Sequence, residues 1–342
     1  MSESNGKGPL IQLTAKDLKT DQEVRWCPGC GDYAILNAVQ SFMPELGIAR
    51  ENIVFVSGIG CAARFPYYMQ TYGMHSIHGR APAIATGLSV SRPDLSVWVV
   101  SGDGDALSIG GNHLIHALRR NVNLKILLFN NEIYGLTKGQ YSPTSERGKV
   151  TKSTPYGSVD QPFNPLSLAI GAEATFVGRT LDTDKKEMTA VLRAAAEHKG
   201  AALVEIYQNC NIYNDGAFDA VRDDKTNRIY LRHGEPIVFG EEGAERGVRR
   251  HTDGSVEIAP LEQIADGEVL VHDAHADEPS LAFALSRLNL GSVGAVPLGV
   301  FRDVDRPVYD ELVAGQIDAA VQSQGAGELA TLLHAGDTWA IG

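Results

Sequence analysis

Two oxygen-bearing side chains follow two apolar runs of the chain and could bind a metal ion together. Asp103 lies in the sequence GDGD, directly after the apolar residues 97–100, and Asn131 follows the apolar residues 125–129. An amphipathic stretch separates the two runs, so the pattern predicts a strand, a helix and a second, parallel strand. Because the carboxyl ends of parallel strands meet at one edge of a sheet, we expect Asp103 and Asn131 to lie side by side.

The oxygen atoms of Asp103 and Asn131 suit a magnesium ion that holds a diphosphate. Mg²⁺ takes roughly six oxygen ligands, of which few come from protein carboxylates and the others come from phosphate and water. Gly102 and Gly104 lack a Cβ and therefore let the backbone approach a phosphate closely. Either motif alone is typical of an ordinary turn. Together, in a strand-helix-strand frame, the two motifs predict a site for Mg²⁺ and a diphosphate.

Four cysteines form the second group of residues that could do chemistry. Cys27 and Cys30 stand in the sequence CPGC, ahead of a helix that Asp32 is predicted to cap, and Cys61 and Cys210 each follow a predicted buried strand. A thioredoxin-like redox pair would need a strand before CPGC, and the sequence there contains few apolar residues. A zinc site usually draws its ligands from two CxxC pairs. An iron–sulfur cluster accepts scattered cysteines and fits this pattern best.

A long segment without helix or strand periodicity, residues 137–164, follows the second motif. Basic residues outnumber acidic ones in it, and they include Lys138, Arg147 and Lys149. Loops of this length are usually functional lids or disordered segments. The position of this loop beside the predicted metal site favours a role in binding an anionic substrate, for which Lys138 is the nearest basic residue. A solvated basic loop is the alternative.

Composition limits the class of protein and its partners. The 342 residues are 43% apolar and 21% charged, and their net charge of −12 argues against nucleic-acid binding, which needs a clustered excess of basic residues. No apolar run is long enough to span a membrane, and the amino terminus lacks the apolar core of a signal peptide. We therefore predict a cytoplasmic protein without a nucleic-acid or membrane partner, whose cysteines are not joined in disulfides.

Strands and helices alternate through most of the chain, which predicts an α/β fold with a mostly parallel central sheet and helices on both faces. Residues 1–20 are polar and are predicted to be a flexible lead, and residues 21–235 carry every motif described above. Residues 236–342 are predicted to be an extension that packs on the main domain or on a partner subunit. Its histidines His272 and His275 are predicted to be solvent-exposed rather than metal ligands.

The motifs of residues 20–235 together resemble those of the β subunits of 2-oxoacid:ferredoxin oxidoreductases. They are CPGCG, GIGC, HGRAPAIATG, GDGD and NNEIYGLTKGQ, followed by Cys210. The resemblance implies the thiamine diphosphate-binding fold and a coenzyme A-dependent oxidative decarboxylation of a 2-oxoacid. It also implies that electrons pass through a [4Fe–4S] cluster to ferredoxin. The implied partner is an α subunit, in an α2β2 assembly.

The resemblance further implies roles for individual residues. The implied ligands of one [4Fe–4S] cluster are Cys27, Cys30, Cys61 and Cys210. The implied ligands of Mg²⁺ are Asp103, Asn131 and the backbone carbonyl of Ile133. The implied contacts of thiamine diphosphate are Ile59, Gly60, Cys61, Ala62, His78, Gly102, Asp103, Gly104, Asp105, Asn131, Gly135 and Leu136. The candidate catalytic residues are His78 and, for the substrate carboxylate, Lys138.

The predicted substrate is 2-oxoglutarate, because a basic loop suits a dicarboxylate and the chain resembles the 2-oxoglutarate enzymes more closely. Pyruvate, or a broad range of 2-oxoacids, is the alternative.

In the family the glutamate that activates thiamine comes from the α subunit, and no glutamate of this chain stands in a motif for that role, so we expect the chain to be inactive alone. Two other hypotheses stay open: a non-redox thiamine decarboxylase or carboligase, and a zinc-stabilised binding module.

Overall fold

The structure of the chain, a computed structural model, describes residues 13–341. Residues 1–12, most of the predicted flexible lead, lie outside the described residues. The strands are β1 (Ile53–Ser57), β2 (Tyr72–His75), β3 (Ser96–Gly102), β4 (Lys125–Asn130), β5 (Ile133–Tyr134), β6 (Gln140–Tyr141), β7 (Phe176–Leu181), β8 (Ala202–Tyr207), β9 (Arg228–Leu231), β10 (Val238–Glu241), β11 (Ala244–Arg250), β12 (Val256–Pro260) and β13 (Val296–Asp303). The helices are α1 (Asp32–Phe42), α2 (Ala81–Ser91), α3 (Asp103–Leu107), α4 (Gly111–Arg119), α5 (Pro165–Gly171), α6 (Lys185–Glu197), α7 (Asp219–Arg222), α8 (Ser280–Ser286), α9 (Leu290–Val293), α10 (Tyr309–Gln324) and α11 (Leu329–Leu333).

The central sheet has eight strands in the order β2-β1-β3-β4-β8-β7-β13-β9. All neighbouring strands from β2 to β7 in this order are parallel, and β13 is antiparallel to β7. Strands β1, β3, β4 and β8 are therefore adjacent and parallel, so their carboxyl ends share one edge. The predicted α/β fold with a mostly parallel sheet is confirmed.

The inner strands are buried on both faces, which explains their continuous apolar sequences. Every residue of β1, β4, β7 and β8 is buried. Successive side chains of a strand point to opposite faces, and in β4 Ile126 and Leu128 join one apolar core whereas Leu127 and Phe129 join the other. Residues of α2, α4 and α5 complete the first core, and residues of α1 and α6 complete the second.

The C-terminal region takes part in the central sheet. Strand β13 pairs with β7 on one side and with β9 on the other, so strands from both sides of residue 235 form one sheet. Strands β10, β11 and β12 form a separate antiparallel sheet. At the other end of the described chain, Leu18 is fully buried and Lys19 pairs with Met69. In the described part of the chain, none of the helices has the length and apolar character that crossing a membrane requires.

One of the two histidines predicted to be exposed is buried, so that prediction was wrong for His272. His272 is 1% exposed, and its Nε2 lies 2.7 Å from the carbonyl oxygen of Val300 in β13. His275 is exposed, as predicted. The acidic residues around His272 in the sequence indicated a solvated loop, but the loop packs against β13, a strand whose position in the sheet local sequence does not specify.

Candidate active site

A cavity of about 390 Å³ lies at the carboxyl edge of the central sheet. It brings together all residues that were predicted to contact thiamine diphosphate, with Ile133: the lining includes Ile59, Gly60, Cys61, Ala62, His78, Gly102, Asp103, Gly104, Asp105, Asn131, Ile133, Gly135 and Leu136. Lining residues that the sequence did not predict are Phe129, Tyr134, Thr137 and Gln140. Lys138 is exposed and does not line the cavity, although the preceding residues Leu136 and Thr137 do.

Asp105 joins the loops that form two sides of this cavity. Its Oδ1 accepts hydrogen bonds from the backbone N–H groups of Gly79, at 2.7 Å, and Ile59, at 3.1 Å. The same oxygen lies 2.6 Å from Nδ1 of His78. A carboxylate only accepts hydrogen bonds, so Nδ1 of His78 carries a proton and Nε2 is the nitrogen available to another group. A Cβ at Gly58 would lie 2.0 Å from the Asp105 carboxylate, which explains the glycine at the end of β1.

Asp103, the carboxylate predicted to bind Mg²⁺, is held by two hydroxyl groups of the long segment 137–164. Its Oδ2 accepts hydrogen bonds from Ser142, at 2.5 Å, and Thr144, at 2.6 Å. Burial raises the pKa of Asp103 to about 6, and these hydroxyl groups oppose the rise because they donate to the charged form. The segment thus contributes polar side chains to the predicted metal site, a role that the sequence did not reveal. The short hydroxyl-rich sequence SPTS was the one local indication of it.

A chain of buried hydrogen bonds continues from Thr144 into the sheet. The single hydroxyl proton of Thr144 is shared between two acceptors, because its oxygen also lies 2.8 Å from Oδ1 of Asn130. The Asn130 amide donates to Glu205 at 2.7 Å. Glu205 in turn pairs with Arg179 at 2.6 Å, and both side chains are almost completely buried. These contacts tie the loop that holds Asp103 to β4, β8 and β7. The orientation of the carboxylate is therefore set by the interior of the protein.

Asn131 and Ile133 supply the other oxygen atoms predicted to bind Mg²⁺. The Asn131 side-chain oxygen accepts a hydrogen bond from the backbone N–H of Ile133 at 3.2 Å. Between them Glu132 has a φ of 57°, a left-handed conformation that is costly for a residue with a Cβ and concentrates at functional sites. Burial raises the pKa of Glu132 to about 8, and Asp103 adds to the rise. One carboxylate, one amide oxygen and one backbone carbonyl form an all-oxygen donor set, which is the kind that Mg²⁺ prefers.

Glycines allow the two loops of the site to approach each other. A Cβ at Gly104 would lie 2.1 Å from the ring of Tyr134, whose hydroxyl donates to the Gly104 carbonyl at 2.9 Å. A Cβ at Gly135 would lie 3.4 Å from the sulfur of Cys61. A side chain at Gly104 would therefore collide with Tyr134, and one at Gly135 would press against Cys61, so glycine at both positions lets the two loops pack together.

The segments that carry the four cysteines converge beside the cavity. The indole N–H of Trp26 donates to the carbonyl oxygen of Cys61 at 2.7 Å. The side-chain amide of Asn211 donates to the carbonyl oxygen of Pro28 at 2.6 Å. These contacts join the CPGC segment to the segments after β1 and β8. All four thiols are free.

In residues 13–341, no three His, Cys, Asp or Glu side chains are grouped closely enough to hold a metal ion. Burial raises the pKa of Cys61 to about 12, and Asp32, Cys210 and Cys27 add to the rise. Burial also raises the pKa of Cys30, with further contributions from Asp32, Cys210 and Cys61. Thiols are the donor type that iron–sulfur clusters use, so the four free cysteines match such a cluster in chemistry, although no three of them are grouped as metal ligands among the described residues.

Asp32 does not cap α1, so that prediction was wrong. The N-cap is Gly31, and Asp32 is the first residue of the helix with its side chain buried. A Cβ at Gly31 would lie 2.0 Å from the Asp182 carboxylate, so only glycine fits at the N-cap, and the helix begins at Asp32 itself. Burial raises the pKa of Asp32 to about 7.

The fold and the cavity define a class, the enzymes that bind thiamine diphosphate at the carboxyl edge of a parallel sheet. The family model described as "Thiamine pyrophosphate enzyme, C-terminal TPP binding domain" matches residues 58–206, from the end of β1 to β8. A solved structure of 2-oxoglutarate:ferredoxin oxidoreductase from Magnetococcus marinus, with 2-oxoglutarate, coenzyme A and succinyl-CoA bound, is similar over 96% of this chain and 98% of its own, with 34% identity and a TM-score of 0.76.

Relatives narrow the class to one family. The 2-oxoglutarate oxidoreductase subunit KorB of Mycobacterium tuberculosis is 63% identical over 95% of this chain and 88% of its own length. The 2-oxoacid:ferredoxin oxidoreductase subunit beta of a Sulfolobus species is 43% identical over 70% of this chain and 79% of its own length. The chain belongs to the family of 2-oxoacid:ferredoxin oxidoreductase β subunits, which confirms the resemblance inferred from its motifs.

Proposed function

We propose that the chain is the β subunit of an enzyme that converts 2-oxoglutarate and coenzyme A to succinyl-CoA and CO₂ and passes two electrons to ferredoxin. The observation that carries the proposal is the cavity at the edge formed by β1, β3, β4 and β8, which is lined by Asp103, Asn131, Ile133 and the free cysteine Cys61. The choice of 2-oxoglutarate rests on the 63% identity with KorB and on the names of the relatives. Pyruvate is the alternative substrate to be tested.

In the proposed enzyme, Asp103, Asn131 and the Ile133 carbonyl bind Mg²⁺, whose other ligands are diphosphate oxygens and water. Thiamine diphosphate, when bound, supplies a thiazolium ring that accepts the electron pair left by the departing CO₂. Asp105 holds the loops that surround the ring, and it fixes His78 with Nε2 available for a proton. Lys138 is exposed beside the cavity wall, and we propose that it binds the substrate carboxylate.

Cys27, Cys30, Cys61 and Cys210 are the proposed ligands of one [4Fe–4S] cluster. Cys61 also lines the cofactor cavity, so the two proposed sites share a residue. Thiolate ligands and the polarity around them set the potential of such clusters, which extends to values low enough to reduce ferredoxin. The role of this chain in electron transfer is thus to hold donor and acceptor next to each other.

An α subunit is proposed to complete the enzyme in an α2β2 assembly, because the relatives are named as subunits and no glutamate of this chain stands in a motif for thiamine activation. The cytoplasmic location predicted from the sequence is part of the proposal.

The experiment is anaerobic co-purification of the chain with its α subunit, followed by metal, sulfide and thiamine analysis and by viologen reduction assays. We expect one thiamine diphosphate and about four iron atoms per chain, the content of one cluster. We expect viologen reduction with 2-oxoglutarate and coenzyme A that exceeds the rate with pyruvate.

Each alternative has its own outcome. A faster rate with pyruvate would correct the substrate. Bound thiamine in a colourless complex without iron would identify a non-redox enzyme. Zinc without iron, sulfide or thiamine would identify a zinc-stabilised binding module and contradict the proposal.

A further inference from the structure

We propose that Gln208 links the two cofactor sites: its amide N–H group donates to the sulfur of Cys30, and its amide oxygen accepts a hydrogen bond from Asn131. Gln208 follows β8 and is 1% exposed. Its Nε2 lies 3.2 Å from the Cys30 sulfur, and its Oε1 lies 2.8 Å from the Asn131 amide nitrogen. This inference rests on the proposed function, because it assigns Cys30 to the cluster and Asn131 to Mg²⁺.

The direction of both hydrogen bonds is fixed by their neighbours. The side-chain oxygen of Asn131 accepts from the backbone N–H of Ile133, so its amide nitrogen is the atom that faces Gln208. Gln208 must therefore present its oxygen to Asn131 and its nitrogen to the opposite side. There the nitrogen meets two acceptors, the carbonyl oxygen of Asn209 at 2.6 Å and the Cys30 sulfur. A flipped Gln208 amide would place two donors together at one end and two acceptors together at the other.

The N–H group beside Cys30 has a defined electrostatic effect. The hydrogen carries the positive end of the N–H dipole, so it stabilises negative charge on the sulfur and on the metals bound to it. The reduced cluster has one more negative charge than the oxidised cluster, and hydrogen bonds to the sulfurs are among the factors that set cluster potentials. Gln208 is therefore expected to raise the reduction potential.

The oxygen of Gln208 acts on the other site. By accepting from the Asn131 amide it fixes the orientation of the Asn131 side chain, which lines the cavity. Groups that orient a metal ligand in this way contribute to metal affinity, and their loss commonly lowers it by about 10-fold to 100-fold. Gln208 is thus a positioning residue for both sites, because it acts on the cofactors only through Cys30 and Asn131.

Two substitutions separate the two effects. Gln208→Met has a similar volume and removes both hydrogen bonds, whereas Gln208→Glu keeps an acceptor for Asn131 and removes the donor to Cys30. Potentials are measured on the anaerobic α/β complex by redox titration followed by low-temperature EPR. For Gln208→Met we expect the equilibrium constant for reduction of the cluster to fall about tenfold, which lowers the reduction potential by about 59 mV for one electron. We expect the potential to fall further in Gln208→Glu, because that substitution adds a negative charge.

The Mg²⁺ requirement is read separately, as the Mg²⁺ concentration that gives half of the maximal thiamine diphosphate binding in calorimetric titrations. We expect it to rise about 10-fold in Gln208→Met and to stay within about twofold of wild type in Gln208→Glu. The matched control is Gln40→Met, which removes another buried amide, one that donates to the Tyr68 carbonyl. Gln40→Met should change neither the reduction potential of the cluster nor the Mg²⁺ requirement.

An unchanged potential in both Gln208 variants would overturn the inference, as would an equal fall in Gln40→Met. If Gln208→Met yields no loaded complex, the potential of the isosteric Gln208→Glu decides. A wild-type complex that contains no iron would instead contradict the proposed function, so the two failures are distinguishable.

Discussion

Burial opposes the charged form of Asp103, and the hydroxyl groups of Ser142 and Thr144, together with nearby backbone N–H groups, favour it. In the proposed enzyme they are outer-shell groups of the Mg²⁺ site. Their donation to Oδ2 fixes the carboxylate in one orientation before the metal arrives. We therefore expect Mg²⁺ binding to depend on the hydroxyl group of Thr144.

We predict that Thr144→Val raises the Mg²⁺ concentration needed for half-maximal thiamine diphosphate binding by about 10-fold. Valine has nearly the same shape as threonine but cannot donate to Asp103. Calorimetric titration of the α/β complex with thiamine diphosphate at a series of Mg²⁺ concentrations measures the change. Thr144→Ser restores the donor and should behave like wild type.

Ser153→Ala is the matched control for this experiment, because Ser153 lies in the same segment, is exposed and, among the described residues, its side chain hydrogen-bonds only to Thr151. An equal rise in Ser153→Ala, or no rise in Thr144→Val, would show that the hydroxyl does not support the metal site.

At the scale of elements, the packing of the loop at His272 against β13 gives the protein a pH-sensitive contact. Burial lowers the pKa of His272 below its usual 6.5, with smaller lowering effects of His233 and His275, while the hydrogen bond to Val300 and the charge of Asp273 raise it. The Nδ1 atom of His272 is buried without a partner among the described residues. Protonation would therefore place an unpaired charge in the interior.

We predict that this contact loses stability as the pH falls below about 6.5. There the unfolded chain takes up a proton at His272 that the folded chain does not, so the free energy of unfolding decreases, by up to about 1.4 kcal/mol at pH 5.5. Above pH 7 the histidine is neutral in both states and makes no difference. His272→Gln keeps a donor for Val300 and should show a smaller decrease.

Unfolding midpoints between pH 8 and pH 5.5 for wild type and His272→Gln measure the effect. The control is His334→Gln, since His334 is exposed on the C-terminal part of the chain. Parallel pH profiles for wild type and His272→Gln would contradict the prediction.

The sequence predicted the elements whose own pattern is informative. Apolar runs interrupted by helical stretches were sufficient to predict β1, β3, β4 and β8 as parallel neighbours, and hence the meeting of Asp103 with Asn131. The motifs added the residues that are proposed to bind the cofactors, and the cavity brings together those proposed for thiamine diphosphate. These features are local, or follow from the general rule that ligands bind at the carboxyl edge of such sheets.

The remaining features depend on contacts between distant parts of the chain. Ser142 and Thr144 lie in a segment without periodicity, so nothing in it indicates that they reach Asp103. The pairing of β13 with β7 joins residues more than a hundred positions apart, and the burial of His272 depends on that pairing. Gln208 lies in none of the motifs, and its two partners belong to different motifs, so the sequence did not indicate its contacts.

At the scale of the whole molecule, exposed apolar side chains stand at the border of the cofactor cavity. Ile59 and Leu136 line the cavity and are 40% and 58% exposed, and Ile77, next to His78, is 71% exposed. Exposed apolar groups that surround a site mark surfaces which another protein covers. In the proposed enzyme this protein is the α subunit.

We predict that Ile77→Asp weakens association with the α subunit and lowers activity with it. A charge on this surface would be desolvated in the complex without a partner. Co-purification yield and size-exclusion chromatography of the mixed subunits measure the effect, and Val238→Asp in the separate three-stranded sheet is the control. Full assembly of the Ile77→Asp variant would exclude this surface from the interface.

The most direct test of the central claim, that one sheet edge holds the thiamine site and the cysteine site as one redox unit, is EPR of the anaerobic α/β complex frozen after addition of 2-oxoglutarate. We expect the substrate to produce the spectrum of a reduced [4Fe–4S] cluster in the wild type. We expect no such spectrum in Cys61→Ser or in Asp103→Asn, each of which removes a ligand from one of the two sites. A complex that binds thiamine diphosphate but shows no substrate-dependent cluster signal, or a signal that persists without the Asp103 carboxylate, would contradict the account.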